Sequence, residues 1–334
     1  MTPRPRFIVS ASPHLKAPVS TPVIMWTVVA SLLPIVAASF YFFGISAPLV
    51  ILACCAGALG AEAITGSRHT LVDGSALITG ILLGLSLPAS LPLWMGVIGG
   101  AVAITLGKRI FGGLGYNIFN PALLGRAFLM AAFPVPMTTW PAPATHLWRL
   151  VGDNFALPLM SADPAAMVTA ATPLGLAKFE RTQTAIVPLI LGTTGGSLGE
   201  TSAIVILACG AYLAVRGFLN WRTPASILLT VALLSGVIHQ VDPNRPGPLF
   251  MLFSGGLILG AVYMATDMVT SPTTNRGRWI FGIGIGALVV LIRLWGGLPE
   301  AVMYAILLMN AVVPYINRAT QPRVFGTRLP KVAA

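Results

Sequence analysis

The chain has only nine acidic residues, and four of them (Glu62, Asp73, Asp267 and Glu300) lie within or beside long apolar stretches. Arg126 and Arg293 lie inside such stretches too. Ionisable groups are costly to place there, so each is a functional candidate by default. Glu300 follows Pro299 at the start of an apolar stretch, where the positive end of a helix suffices to explain it. Glu62 lies one or two turns inside the second stretch with no such local explanation, which makes it the first candidate for a cation or proton pathway. Asp267 is the second candidate, although Arg276 or Arg278 could simply neutralise it. The histidines (His14, His69, His146, His239) are too scattered for a metal site, and Cys54, Cys55 and Cys209 show no CxxC or Cys/His spacing.

Four polar runs stand out between the apolar stretches. Gly112-Gly113-Leu114-Gly115-Tyr116-Asn117-Ile118-Phe119-Asn120-Pro121-Ala122 combines three glycines, two aromatics and two asparagines. Locally it reads as a tight turn in which Asn120 caps a helix opened by Pro121. The same residues suit a planar heterocycle at the membrane surface, because glycines permit close approach, amides read polar ring edges and aromatics stack. Gly192-Thr193-Thr194-Gly195-Gly196-Ser197-Leu198-Gly199-Glu200-Thr201-Ser202 predicts a broken, polar-lined segment, with Glu200 at a helix start. Residues 265–279 (ATDMVTSPTTNRGRW) place five hydroxyls near Asp267, and residues 163–174 (DPAAMVTAATPL) offer hydroxyls flanked by small residues.

The elements that must position these runs are set by composition. Of 334 residues only 20 are Lys or Arg and 9 are Asp or Glu, while 56% are hydrophobic. A soluble domain carries about a quarter charged residues, so this is an all-α integral membrane protein. The net charge of +11 does not indicate nucleic acid, since no dense basic run exists. A crossing needs about 20 apolar residues, fewer where other helices shield it. Spans are expected near 23–43, 48–66, 74–90, 92–107 and 118–136, then near 200–217, 224–241, 249–266, 279–297 and 299–316. Ten transmembrane helices, five on each side of a long connection, have the form of an inverted repeat. The parts are a terminal segment 1–22, halves 23–136 and 200–316, a connection 137–199 with a short re-entrant piece at 185–192, and a tail 317–334. No removable signal peptide is expected; the first span would direct insertion. With a cytoplasmic N-terminus, only Arg149, Lys178, Arg181 and Arg245 fall outside and Arg126 and Arg293 fall within spans, leaving fourteen of the twenty basic residues cytoplasmic. That asymmetry puts both termini in the cytoplasm and the connection outside it.

Together the polar runs resemble one family, the membrane subunits RnfD and NqrB of ion-pumping, flavin-containing respiratory complexes. GGLGYNIFNPA, GGSLGETSA and ATDMVTSPTTNRGRW carry the resemblance, which extends from Asp73-Gly74-Ser75 to Trp279. The short start is similar to the RnfD branch rather than to NqrB-type chains. The resemblance implies a bacterial inner-membrane electron-relay subunit coupled to Na⁺ or H⁺ movement, working with ferredoxin and NAD through Rnf subunits A, B, C, E and G. It implies FMN held by a phosphoester to a threonine and attached by a separate flavin transferase. Thr169-Ala170-Ala171-Thr172 matches the motif with Thr for Ser and Ala for Gly, so Thr172 is the implied site and Thr169 the fallback. It also implies a noncovalent riboflavin in some members, with Asn117 and Asn120 the contacts, and a bundle resembling urea and ammonium transporters. The rival reading is a flavin-free channel or transporter for a small neutral solute.

Overall fold

The computed structural model describes residues 19–66, 68–143, 146–148, 150, 153–158, 160, 170–200 and 202–322. Thr169, most of the 1–22 segment and the tail beyond 322 lie outside the described residues. Every regular element among those described is helical. The main helices are α1 (Thr21–Phe43), α2 (Ser46–Thr65), α3 (Ser75–Leu85), α4 (Leu93–Ile104), α5 (Pro121–Ala132), α6 (Ala203–Val215), α7 (Arg222–Val241), α8 (Pro248–Phe253), α9 (Leu257–Leu259), α10 (Asn275–Trp295) and α11 (Val302–Thr320). Three π-turns, Thr105–Arg109, Leu176–Glu180 and Gly260–Met264, extend short helices.

Five helices, α1, α2, α7, α10 and α11, are long and apolar enough to cross a membrane. The other five expected spans are shorter or interrupted. The third stops at Leu85 because the chain that follows carries Pro88 and Pro92, which lack the N–H a helix needs. Residues 86–92 run on, buried and irregular, which apolar surroundings permit only where other groups satisfy the backbone. Here Asn154, from the long connection, donates from Nδ2 to Ala89 O at 2.8 Å and to Leu91 O at 3.0 Å. The eighth expected span breaks at Ser254-Gly255-Gly256, where Gly255 has φ 66°, a left-handed conformation that glycine adopts without strain. Arg293 on α10 closes that break, donating from Nη1 to Met251 O at 2.6 Å and from Nη2 to Ser254 O at 2.9 Å.

Small residues set the packing. α2 lies along α4, and a Cβ on Gly57 or Gly100 would overlap the backbone of Val97 or Cys54 on the facing helix. α7 lies along α10 in the same way, with Gly286 facing Thr230. Backbones that approach this closely gain dispersion contacts that lipid cannot match. α1 packs against α6, and Tyr263 OH donates to Ser31 O at 3.2 Å, joining residues 232 positions apart.

Candidate functional site

Two polar centres emerge, one built around Thr172 and one around Glu62. The first is a cavity of about 610 Å³ between α5, the long connection and the start of α11. Its walls include Leu123, Met130, Trp140, Phe179 and Leu259, and its polar groups include Thr172, Arg126, Arg293 and Glu300. Thr172 is buried and caps a turn opened by Pro173; Gly175 N donates to its Oγ1 at 3.1 Å. Ala170 N donates to Trp140 O at 2.9 Å, which holds this strip of connection against the cavity wall.

Charge collects in the wall of this cavity and, at Glu200, just beyond it. Arg126 on α5 donates from Nη2 to Glu300 Oε2. Glu200 accepts from Ser197 Oγ at 2.9 Å and lies in a single 3₁₀ turn, since α6 starts only at Ala203. Helix-start electrostatics therefore do not account for it. Glu200, Glu300, Arg126 and Arg293 are electrostatic neighbours, two of each sign. Arg126 Nε, Arg293 Nε and Glu300 Oε1 are buried with no hydrogen-bond partner. A space of this size, with apolar walls and a few convergent polar groups, has the character of a cofactor site. Its aromatic lining residues and spare hydrogen-bonding atoms suit a planar, polar-edged ring system.

The second centre gathers residues that are dispersed in sequence. Glu62 on α2 is fully buried and faces Lys108, whose Nζ lies 3.0 Å from Oε2. Lys108 also donates to Ser75 Oγ at 2.8 Å, and Ser75 donates on to Asp73 Oδ1 at 2.6 Å. Arg109 Nη1 is 3.9 Å from Glu62 Oε1. The charge pattern assigns Lys108 to the cytoplasmic loops; the structure instead buries it in the π-turn that prolongs α4. The partner that Glu62 lacks locally thus arrives from 46 residues away.

A small cavity of about 60 Å³ beside this cluster is lined by Lys108, Ser75, Asn117 and Asp267, so residues from two of the polar runs meet the Glu62 cluster there. Asn120 does cap α5, accepting from Ala122 N at 3.0 Å and Leu123 N at 3.3 Å, and its Nδ2 donates to Met264 O at 3.1 Å. Asn117 Nδ2 donates to Phe119 O at 3.3 Å. Asp267 accepts from Thr270 Oγ1 at 3.1 Å and from Val269 N at 3.3 Å, while Arg278 donates to Pro272 O instead. Burial holds the Asp267 carboxyl above the usual aspartate range. What sequence reasoning missed is the Arg126–Glu300 pair and the Lys108 bond. Neither partner lies within a helical turn of the other, so no local spacing announces them.

Comparison with known proteins places these features in context. The family described as NQR2, RnfD, RnfE matches residues 8–326. The D subunit of an ion-translocating oxidoreductase complex from Stutzerimonas stutzeri is 42% identical, covering 93% of this chain and 94% of its own. The D subunit of a proton-translocating ferredoxin:NAD(+) oxidoreductase complex from Clostridium ljungdahlii is 41% identical, covering 96% and 97%. The Na(+)-translocating counterpart from Acetobacterium woodii is 39% identical, covering 97% of each chain.

Proposed function

We propose a function from one premise: this chain belongs to the NQR2, RnfD, RnfE family. It serves as the D-type membrane subunit of an Rnf-type ion-translocating oxidoreductase, relaying electrons between ferredoxin and NAD branches held on partner subunits. Relatives named for Na⁺ and for H⁺ are about equally similar to it. The protein supplies position and electrostatics, and a bound flavin supplies the redox chemistry.

The observation that carries the flavin reading is the cavity with Thr172 in its wall. Thr172 is the proposed attachment point for FMN through a phosphoester made by a separate transferase; among the described residues no activating base is in hydrogen-bond contact with its hydroxyl, which accepts from Gly175 N. Trp140 and Phe179 are the aromatic side chains of the lining, and Arg126, Arg293 and Glu300 its polar ones. A noncovalent riboflavin is proposed near Asn117. Asn120 would act there mainly by shaping the turn, since its amide is already bonded. Glu62 and Asp267 are the acids proposed for the ion pathway; Glu62 Oε2 is held by the Lys108 ammonium, while Oε1 has no hydrogen-bond partner.

The proposed topology is ten crossings in two inverted halves in a bacterial inner membrane, with both termini cytoplasmic and the Thr172 cavity on the opposite side. It is supported by the matched packing of α2 on α4 and of α7 on α10, and by interrupted helices in the third and eighth positions. The deciding experiment is ultraviolet fluorescence of the chain in a denaturing gel after co-expression with a flavin transferase. A fluorescent wild type and a dark Thr172→Val variant are expected. A dark wild type would remove the flavin reading and leave a flavin-free transporter.

A further inference from the structure

The Thr172 cavity is lined by a largely buried ion pair that flavin attachment does not require. The Arg126 side chain is 9% exposed and that of Glu300, its partner, 18%, and both line the cavity. The two come from different halves of the chain, α5 and the residues just before α11, 174 positions apart. Each keeps one buried polar atom without a partner, Arg126 Nε and Glu300 Oε1. A pair that served only to join two helices would gain little from being buried. Taking both charges out of water costs several kcal/mol per ion, and apolar residues of the same volume often hold helices as well. What an ion pair has that apolar residues lack is a field, and in a low-dielectric cavity that field acts on any ligand whose charge changes.

We propose that the Arg126–Glu300 pair is the electrostatic control of the redox group held in this cavity, its two opposed charges setting the midpoint potential between them. The inference rests on the reading of Thr172 as a flavin carrier. When the ring system accepts an electron from a neighbouring redox centre of the complex, it gains one unit of negative charge and no bond in this chain is made or broken. Arg126 favours that added charge and Glu300 opposes it. Arg293 spends two of its N–H groups on Met251 O and Ser254 O, and Glu200 is bonded by Ser197, so both are more committed to the fold. Arg126 and Glu300 are thus positioning residues that act through charge.

The test is a redox titration of the intact complex, following the flavin signal assigned to this chain by its loss in Thr172→Val. Arg126→Met leaves Glu300 uncompensated and should shift the midpoint negative. Glu300→Gln leaves Arg126 uncompensated and should shift it positive. The double variant should return close to wild type. Each single change is expected to alter the reduced-to-oxidised ratio at fixed potential by about tenfold, the effect of a unit charge across roughly 10 Å at an effective dielectric near 20. A purely structural role would move both single variants the same way or neither, and either result overturns the proposal. If Arg126→Met fails to assemble, Glu300→Gln decides alone, because an unchanged or negative shift there is also fatal. Absence of covalent flavin from the wild type would be seen first, in the gel, and would count against the flavin reading rather than against the pair.

Discussion

Lys108 Nζ lies 3.0 Å from Glu62 Oε2, and neither side chain reaches the surface. This contact closes a chain from Glu62 through Lys108 and Ser75 to Asp73, which ties α2, the π-turn after α4 and the start of α3 into one cluster. Removing one partner leaves the other buried charge without its close counterion, a loss of up to about 3–5 kcal/mol. Lys108→Met and Glu62→Gln are therefore each expected to lower the thermal midpoint of the purified complex. The double variant should recover most of the loss. Equal melting of wild type and Lys108→Met would mean the pair is not formed.

The same pair bears on transport. With Glu62 neutralised by Lys108, Glu62→Gln should reduce ion pumping into vesicles while electron transfer continues. Unaltered pumping in a normally assembled Glu62→Gln complex would remove Glu62 from the pathway.

Glycine substitutions separate close packing from mere flexibility. Gly100→Ala puts a methyl group into the Cys54 carbonyl and should cost about 1–3 kcal/mol as α2 and α4 are forced apart. Gly60→Ala sits in the same helix as Gly57 but meets nothing within 4 Å. It should be neutral or stabilising by about 0.5–1 kcal/mol through helix propensity. Thermal unfolding of both variants checks the pair of expectations.

Arg293→Met frees Met251 O and Ser254 O inside the bundle. Each stranded acceptor costs about 1–3 kcal/mol, so this variant should unfold well below wild type. Arg293→Lys, which can reach one carbonyl at a time, should fall between. Identical melting of Met and Lys variants would show that the guanidinium fork is not what closes the break.

Asp267 supplies a pH test. Its folded carboxyl titrates above the unfolded value of 3.8 because burial disfavours the charge. The folded chain therefore binds more protons than the unfolded chain just above pH 3.8, and stability from this group is lost as pH rises through the folded pKa. Asp267→Asn should flatten that part of the stability profile in a pH series of melts.

Much of this protein was legible in its residues. Nine acidic groups among 334 residues compel a membrane solution, and Pro121 after Asn120 announces the capped start of α5, which forms as expected. The polar runs, GGLGYNIFNPA, GGSLGETSA and ATDMVTSPTTNRGRW above all, were enough to reach the family that the chain-wide match shows. Hydropathy failed where helices are short. It measures how apolar a segment is and not whether its backbone stays helical, so it extends the third span across Pro88 and treats the eighth as unbroken.

Tertiary structure alone decided the charges. Composition says which groups are too expensive to bury alone, but the partner that makes burial tolerable is wherever the fold brings an opposite charge. Lys108 comes to Glu62 because α4 ends in a π-turn against α2, and Glu300 comes to Arg126 because α11 starts beside α5. Electrostatic attraction within a low-dielectric interior depends on distance in space and not along the chain. The sequence therefore determined that this is a membrane protein of a particular family, and the packing of its helices determined what each of its few charges faces.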